Sequence, residues 1–119
     1  MTDRDLLLRI YDAFNRRDID VVLATMHPDV DWPNGMEGGR IIGREEVRKY
    51  WLRQWSQINP RVDPREFHSD PSGTTIVDVH QTVRDLAGNM LVERMVQHVY
   101  RIDQGLIQSM EIRDPAPTS

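Results

Sequence analysis

The sequence predicts an α+β domain, with three N-terminal helices packed on one face of a strongly curved antiparallel sheet. Three observations carry that expectation. Leu7, Ile10, Tyr11 and Phe14 recur at i, i+3, i+4 and i+7, one apolar stripe of a helix. Val47, Trp51, Trp55 and Ile58 form a second stripe at i, i+4, i+8 and i+11. Finally, Met90 to Ile112 alternates in character on either side of Asp103-Gln104-Gly105, the signature of a long β-hairpin. Helical patterns come first and strand patterns after, so the two kinds of element segregate rather than alternate.

The first helix spans about Asp3 to Arg17, with Thr2 or Asp3 able to cap its start. Asp18 is a good N-cap for a second helix, Ile19 to about Met26, whose Ile19, Val22, Leu23 and Met26 keep helical spacing. His27-Pro28-Asp29 stops it, because proline cannot continue a helix. Val30-Asp31-Trp32 reads as a short strand running into Pro33-Asn34-Gly35, Met36 to Gly39 as a glycine-rich loop, and Arg40 to Ile42 as a second extended piece. The third helix runs from about Arg44 to Ile58 and ends at Asn59-Pro60. Arg61 to Phe67 is a weak strand whose Pro64 calls for an edge position or a bulge. Asp70 to Gly73 is a turn, Thr74 to Asp85 a strand, and Leu86 to Asn89 the turn into the hairpin. In that hairpin Val92, Arg94, Val96, His98, Tyr100 and Ile102 share a face, since side chains alternate along a strand. A mostly apolar face carrying an arginine and a histidine resembles the lining of a cavity. The tail from Pro115 is expected to fray.

A chain of 119 residues supports one domain with one core. The formal net charge of −4 offers no basic footprint for nucleic acid. There is no cysteine, hence no disulfide framework and no thiolate nucleophile. The acidic, amphipathic start MTDRDLLLRI does not read as a signal peptide, and no apolar run approaches a membrane span. The expectation is a soluble cytoplasmic protein without a membrane partner.

The order of elements and several stretches together resemble the nuclear transport factor 2-like superfamily. That cone-shaped fold is shared by ketosteroid isomerase, SnoaL-like polyketide cyclases and limonene epoxide hydrolase. The matching stretches are LLRIYDAFNRRDID from Leu7, HPDVDW from His27, GREEVRKYW from Gly43, HVYRIDQGLI from His98 and SMEIRD from Ser109. The resemblance implies a deep pocket between the concave sheet and the helices, chemistry without metal or cofactor, and a homodimer formed through the outer sheet face.

Carried over position by position, the enzymatic constellations of that superfamily are mostly replaced. Asn34 stands where the isomerase has its general base, and an amide cannot abstract a proton near neutral pH. The isomerase tyrosine falls at Ile10, with Tyr11 beside it, and the protonated aspartate of its oxyanion hole falls at His98. The hydrolase's tyrosine-x-asparagine pair becomes Trp32-Pro33-Asn34, its arginine-x-aspartate pair Val79-His80-Gln81, and its last aspartate Ile112. Asp114 could serve as the late acid of the cyclases if it faces inward, or simply end its strand in water or pair with Arg113. His98 is either a general acid or base near pH 7 or a neutral buried imidazole satisfied by a neighbour. Arg94 either binds an anion or pairs with an acid such as Glu37. Trp32, Trp51 and Trp55 are either core or a wall suited to flat ligands, with Asn34 and Tyr100 as hydrogen-bonding partners of the ligand and Tyr11 as a further substrate-binding residue. His80 falls on the outer face, while His27 and His68 fall at turn or strand ends. The four histidines lack local metal spacing, so no metal site is expected. Leu91, Met95 and Val99 face away from His98 and need cover, which a second subunit would supply. The expected function is binding of a small hydrophobic molecule. The expectation extends to cofactor-independent isomerisation or cyclisation of a carbonyl compound by acid/base chemistry, with a non-catalytic binding or accessory module as the alternative.

Overall fold

In the computed structural model, which describes residues 2–35 and 37–115, nine elements build a helical layer against one six-stranded sheet. In chain order they are α1 (Asp3–Asn15), α2 (Ile19–Ala24), β1 (Met26–Pro33), β2 (Arg40–Ile42), α3 (Arg44–Trp55), β3 (Ile58–Ser69), β4 (Thr74–Asp85), β5 (Met90–Asp103) and β6 (Leu106–Arg113). The strand order is β2-β1-β6-β5-β4-β3, antiparallel except where β1 runs parallel to β6. Register shifts in four of the five pairings supply the irregularities that bend a sheet. The fold class is the one the periodicities predict.

Helix α1 starts in a capping box. The Asp5 amide donates to Thr2 Oγ1 (3.1 Å), and the Thr2 amide donates to Asp5 Oδ2 (3.3 Å). Its stripe buries Leu7, Ile10 and Tyr11 against the sheet, with Phe14 half-buried beside them. Asp18 occupies the N-cap of α2, but its side chain makes no capping bond.

Two boundaries differ from the sequence expectation, for the same reason. Helix α2 ends at Ala24, and β1 begins at Met26 rather than Val30. Met26 pairs with Ile107 of β6, the Ile107 amide donates to Thr25 O (2.9 Å), and Met26 is fully buried. Helix α3 ends at Trp55, and Ile58, Asn59 and Pro60 open β3. In both places pairing with a distant strand overrides a local helical pattern. Pro60 and Pro64 are tolerated because β3 is an edge strand, and a register shift follows Pro64.

The hairpin turn is as read. Gln104 (φ 53°) and Gly105 (φ 76°) both take positive φ between the paired Asp103 and Leu106, a two-residue loop of the primed kind. The core lies between α1, α3 and the inner sheet face, where Leu7, Val47, Val77, Val79 and Ile107 are fully buried. On the outer face a polar row crosses four strands. His68 pairs with Asp78 (2.9 Å), the Gln97 amide donates to Asp78 (2.8 Å), and Arg113 donates to Gln97 (2.8 Å). Beside it Leu91 and Met95 are exposed. Among the described residues no helix is long and apolar enough to cross a membrane. The expected frayed tail falls on residues 116–119 beyond Pro115, and Met36 of the glycine-rich loop likewise lies outside the described residues.

Candidate functional site

Between the helices and the inner sheet face lies a cavity of about 380 Å³. Its sheet side is built by alternation: Gln81 and Val83 from β4, Val92, Arg94, His98 and Tyr100 from β5. Helices α1 and α3 close the other side with Tyr11, Phe14, Tyr50 and Trp51, and Trp32 of β1 stands edge-on to Trp51 (5.6 Å between centroids). Aromatic walls and few polar groups are the usual makeup of a small-molecule site.

The polar groups form a relay at the buried end. Tyr100 donates its hydroxyl to Tyr11 Oη (2.9 Å), and Tyr11 Oη lies 2.8 Å from His98 Nδ1. All three side chains are buried. A phenol has one proton to give. Because Tyr11 already accepts from Tyr100, its own proton is directed at His98, making Nδ1 the acceptor and placing the ring proton on Nε2. No described protein group bonds Nε2. Nor is that nitrogen sealed, since among the described residues only Trp55 Nε1 is a fully buried side-chain N or O without a partner. The His98 Nε2–H therefore opens onto the cavity that His98 lines.

Burial lowers the His98 pKa to about 4, so at neutral pH the ring is uncharged. Burial raises both phenols: Tyr11 well above the ordinary range, with Tyr100 adding to the rise, and Tyr100 upward against the opposing bond to Tyr11. The relay is thus an array of neutral donors. Of the two alternatives drawn from the sequence, this arrangement is that of a neutral buried imidazole satisfied by a neighbouring hydroxyl, with desolvation disfavouring the charged ring.

The other sequence-derived site residues divide. Tyr11, Trp32, Trp51, Arg94, His98 and Tyr100 meet at the cavity. Trp55 stacks on Trp51 (5.9 Å) with the Arg17 guanidinium over its ring (5.1 Å), and is not among the cavity-lining residues. Asn34 turns its Oδ1 to the Glu37 amide (2.9 Å), organising the rim loop rather than the cavity. Asp114 follows the end of β6 and is exposed, so the inward-facing alternative for it is not realised. Glu37 pairs with Arg53 (2.6 Å), not with Arg94, whose Nε donates to Gln81 Oε1 (3.1 Å).

Sequence reading missed Tyr50 and Gln54, which line the cavity from α3. The signal was present: Val47, Tyr50, Trp51 and Gln54 are spaced i, i+3, i+4 and i+7, a better single face than the stripe drawn through Trp55. It also missed a cluster on the outer face, where β3–β4 pairing brings donor atoms of Glu66, His68 and Asp78 within 4.8 Å of one another. The His68 pKa is raised there, chiefly by the hydrogen bond to Asp78, so an ion pair accounts for the cluster.

Helices on the concave side of a bent, mostly antiparallel sheet, enclosing an aromatic cavity, define a nuclear transport factor 2-like protein. Within that class, the SnoaL-like domain pattern matches residues 7–110, and the chain belongs to the SnoaL-like family. Among solved structures it is similar to TerC co-crystallised with polyporic acid, at 27% identity and a TM-score of 0.80, over 93% of this chain and 89% of TerC. It is similar to an NTF2-like protein of unknown function from Burkholderia pseudomallei at 28% identity and a TM-score of 0.82, over 97% and 92% of the two chains. A putative polyketide cyclase from Sinorhizobium meliloti shares the fold at 21% identity and a TM-score of 0.78, over 92% and 94%. No curated protein sequence matches it.

Proposed function

We propose that the cavity binds a small, flat, hydrophobic molecule through a hydrogen-bond acceptor, such as a carbonyl oxygen, placed on His98 Nε2–H. The observation that carries this reading is the Tyr100–Tyr11–His98 relay, which leaves one oriented donor at the buried end of an aromatic chamber. A buried donor facing apolar walls rewards a matching acceptor and penalises its absence. Trp32 and Trp51 suit a planar body. The similar TerC was co-crystallised with polyporic acid, which makes that compound a first probe.

The same donor supports a second reading, cofactor-independent isomerisation or cyclisation at a carbonyl. A pre-oriented N–H in a water-poor site stabilises the oxygen charge that develops in such reactions. The described lining residues include no carboxylate to act as base, so binding is the primary statement. Imidazole ¹⁵N spectra recorded with polyporic acid, hydrophobic ketones, lactones and aromatic polyketide mimics test it. A shift of His98 Nε2 on binding supports the reading. Binding that leaves Nε2 unmoved, or no binding at all, overturns it.

Assembly belongs to the same proposal. Leu91 (55% exposed) and Met95 (41%) on the outer face are covered in a homodimer, and a monomeric mass in sedimentation at micromolar concentration would count against that.

A further inference from the structure

Among the described residues lining the cavity, Arg94 is the only side chain that carries a formal charge at neutral pH, and none is a carboxylate. Arg94 faces Gln81, its direct cross-strand partner, and spends its Nε on the Gln81 carbonyl (3.1 Å). On the outer surface Arg113 likewise donates its Nε to a glutamine, Gln97, whereas Arg16, Arg40, Arg48 and Arg53 pair with acids. The bond to Gln81 fixes the plane of the Arg94 guanidinium. Its two terminal amino groups have no partner among the described residues. A guanidinium held this way presents a flat pair of donors that fits the two oxygens of a carboxylate.

Its position adds a length. Arg94 and His98 lie on the same inner face of β5, four residues apart, which is about 13 Å of strand at roughly 3.3 Å per residue. Arg94 is exposed and His98 buried, so the arginine marks the mouth and the histidine the inner end. Beside the arginine Val83 and Val92 keep the mouth apolar.

Resting on the binding reading above, we infer that the ligand is an amphipathic carboxylic acid: a flat apolar body with a neutral oxygen acceptor at its inner end on His98 and a carboxylate at its outer end on Arg94. The two polar groups stand at opposite ends of the apolar body.

A matched pair tests this, 6-acetyl-2-naphthoic acid and its methyl ester, which share the body and the acetyl oxygen and differ in charge. Calorimetric titrations give affinities, and the ¹⁵N signals of His98 report where each compound sits. The acid is expected to bind wild type about tenfold more tightly than the ester at low salt, the worth of one charge-assisted pair. Added salt should narrow that gap. Arg94→Gln should weaken the acid far more than the ester, and Arg94→Lys should keep part of the preference. Equal affinities in wild type, or an acid preference that survives Arg94→Gln, overturn the carboxylate inference while ester binding at His98 leaves the cavity reading standing. If neither compound binds or moves His98, both fail together.

Discussion

Two histidines on opposite faces of one sheet show how far position outweighs residue type. His98 on the inner face of β5 is buried, bonded to a phenol, and held neutral with a pKa lowered to about 4 by desolvation. His68 on the outer face of β3 is exposed beside Asp78 and Glu66, and its pKa is raised, first of all by the Asp78 hydrogen bond. One is a directional neutral donor, the other half of a solvated ion pair. What separates them is the side of the sheet on which each falls.

The largest consequence is a pH dependence of stability from His98. The unfolded ring takes up a proton near its ordinary 6.5, whereas the folded one stays neutral down to about 4. Between those values the unfolded chain binds more protons, so stability rises with pH. The His98 contribution is full above 6.5 and is lost as pH falls to about 4, on the order of 3 kcal/mol. Carboxylates with lowered pKa, Asp78 among them, also lose stability in acid, so the readout is the difference between proteins. Urea melts at pH 7 and pH 4.5 should show a markedly smaller acid loss for His98→Phe than for wild type. Equal losses would contradict the buried neutral ring.

Removing the first donor of the relay sharpens the same contrast. Tyr100→Phe keeps the ring but leaves Tyr11 without the bond that directs its proton to His98, at a cost of about 1–2 kcal/mol. It should also let the imidazole sample both tautomers, visible as averaged ¹⁵N shifts. A variant as stable as wild type with an unchanged His98 spectrum would mean that the relay does not set the tautomer.

The smallest effect belongs to the outer face, and its sign is opposite. A raised folded pKa makes the His68 contribution present below its unfolded value and lost as pH rises through the folded one. His68→Gln should therefore lose stability relative to wild type below pH 6.5 and match it at pH 8. The effect should be slight, because exposed pairs are screened. A deficit that grows towards pH 8 would reverse the assignment.

Much of the fold was legible because its information is local. The stripes of α1, the cap at Thr2, the edge-strand prolines and the turn at Gln104-Gly105 each depend on a few neighbouring residues. The alternation of β5 alone placed Arg94, His98 and Tyr100 on a shared face. What local pattern could not show was who meets whom across the chain. Met26 joins a strand because Ile107 is there, and Tyr11 reaches His98 across 87 residues of sequence. The Gln81 side chain orients Arg94 only once β4 and β5 are in register. His98 could be singled out from sequence, but its charge state could not, since desolvation is set by the walls around it.

The most direct test is a long-range ¹H–¹⁵N spectrum of the histidine side chains at pH 7. The expected result is a neutral His98 with its proton on Nε2 and an unprotonated Nδ1, unchanged until the pH approaches 4. A proton on Nδ1, or a charged ring at pH 7, would contradict the donor that the cavity is held to present to its ligand.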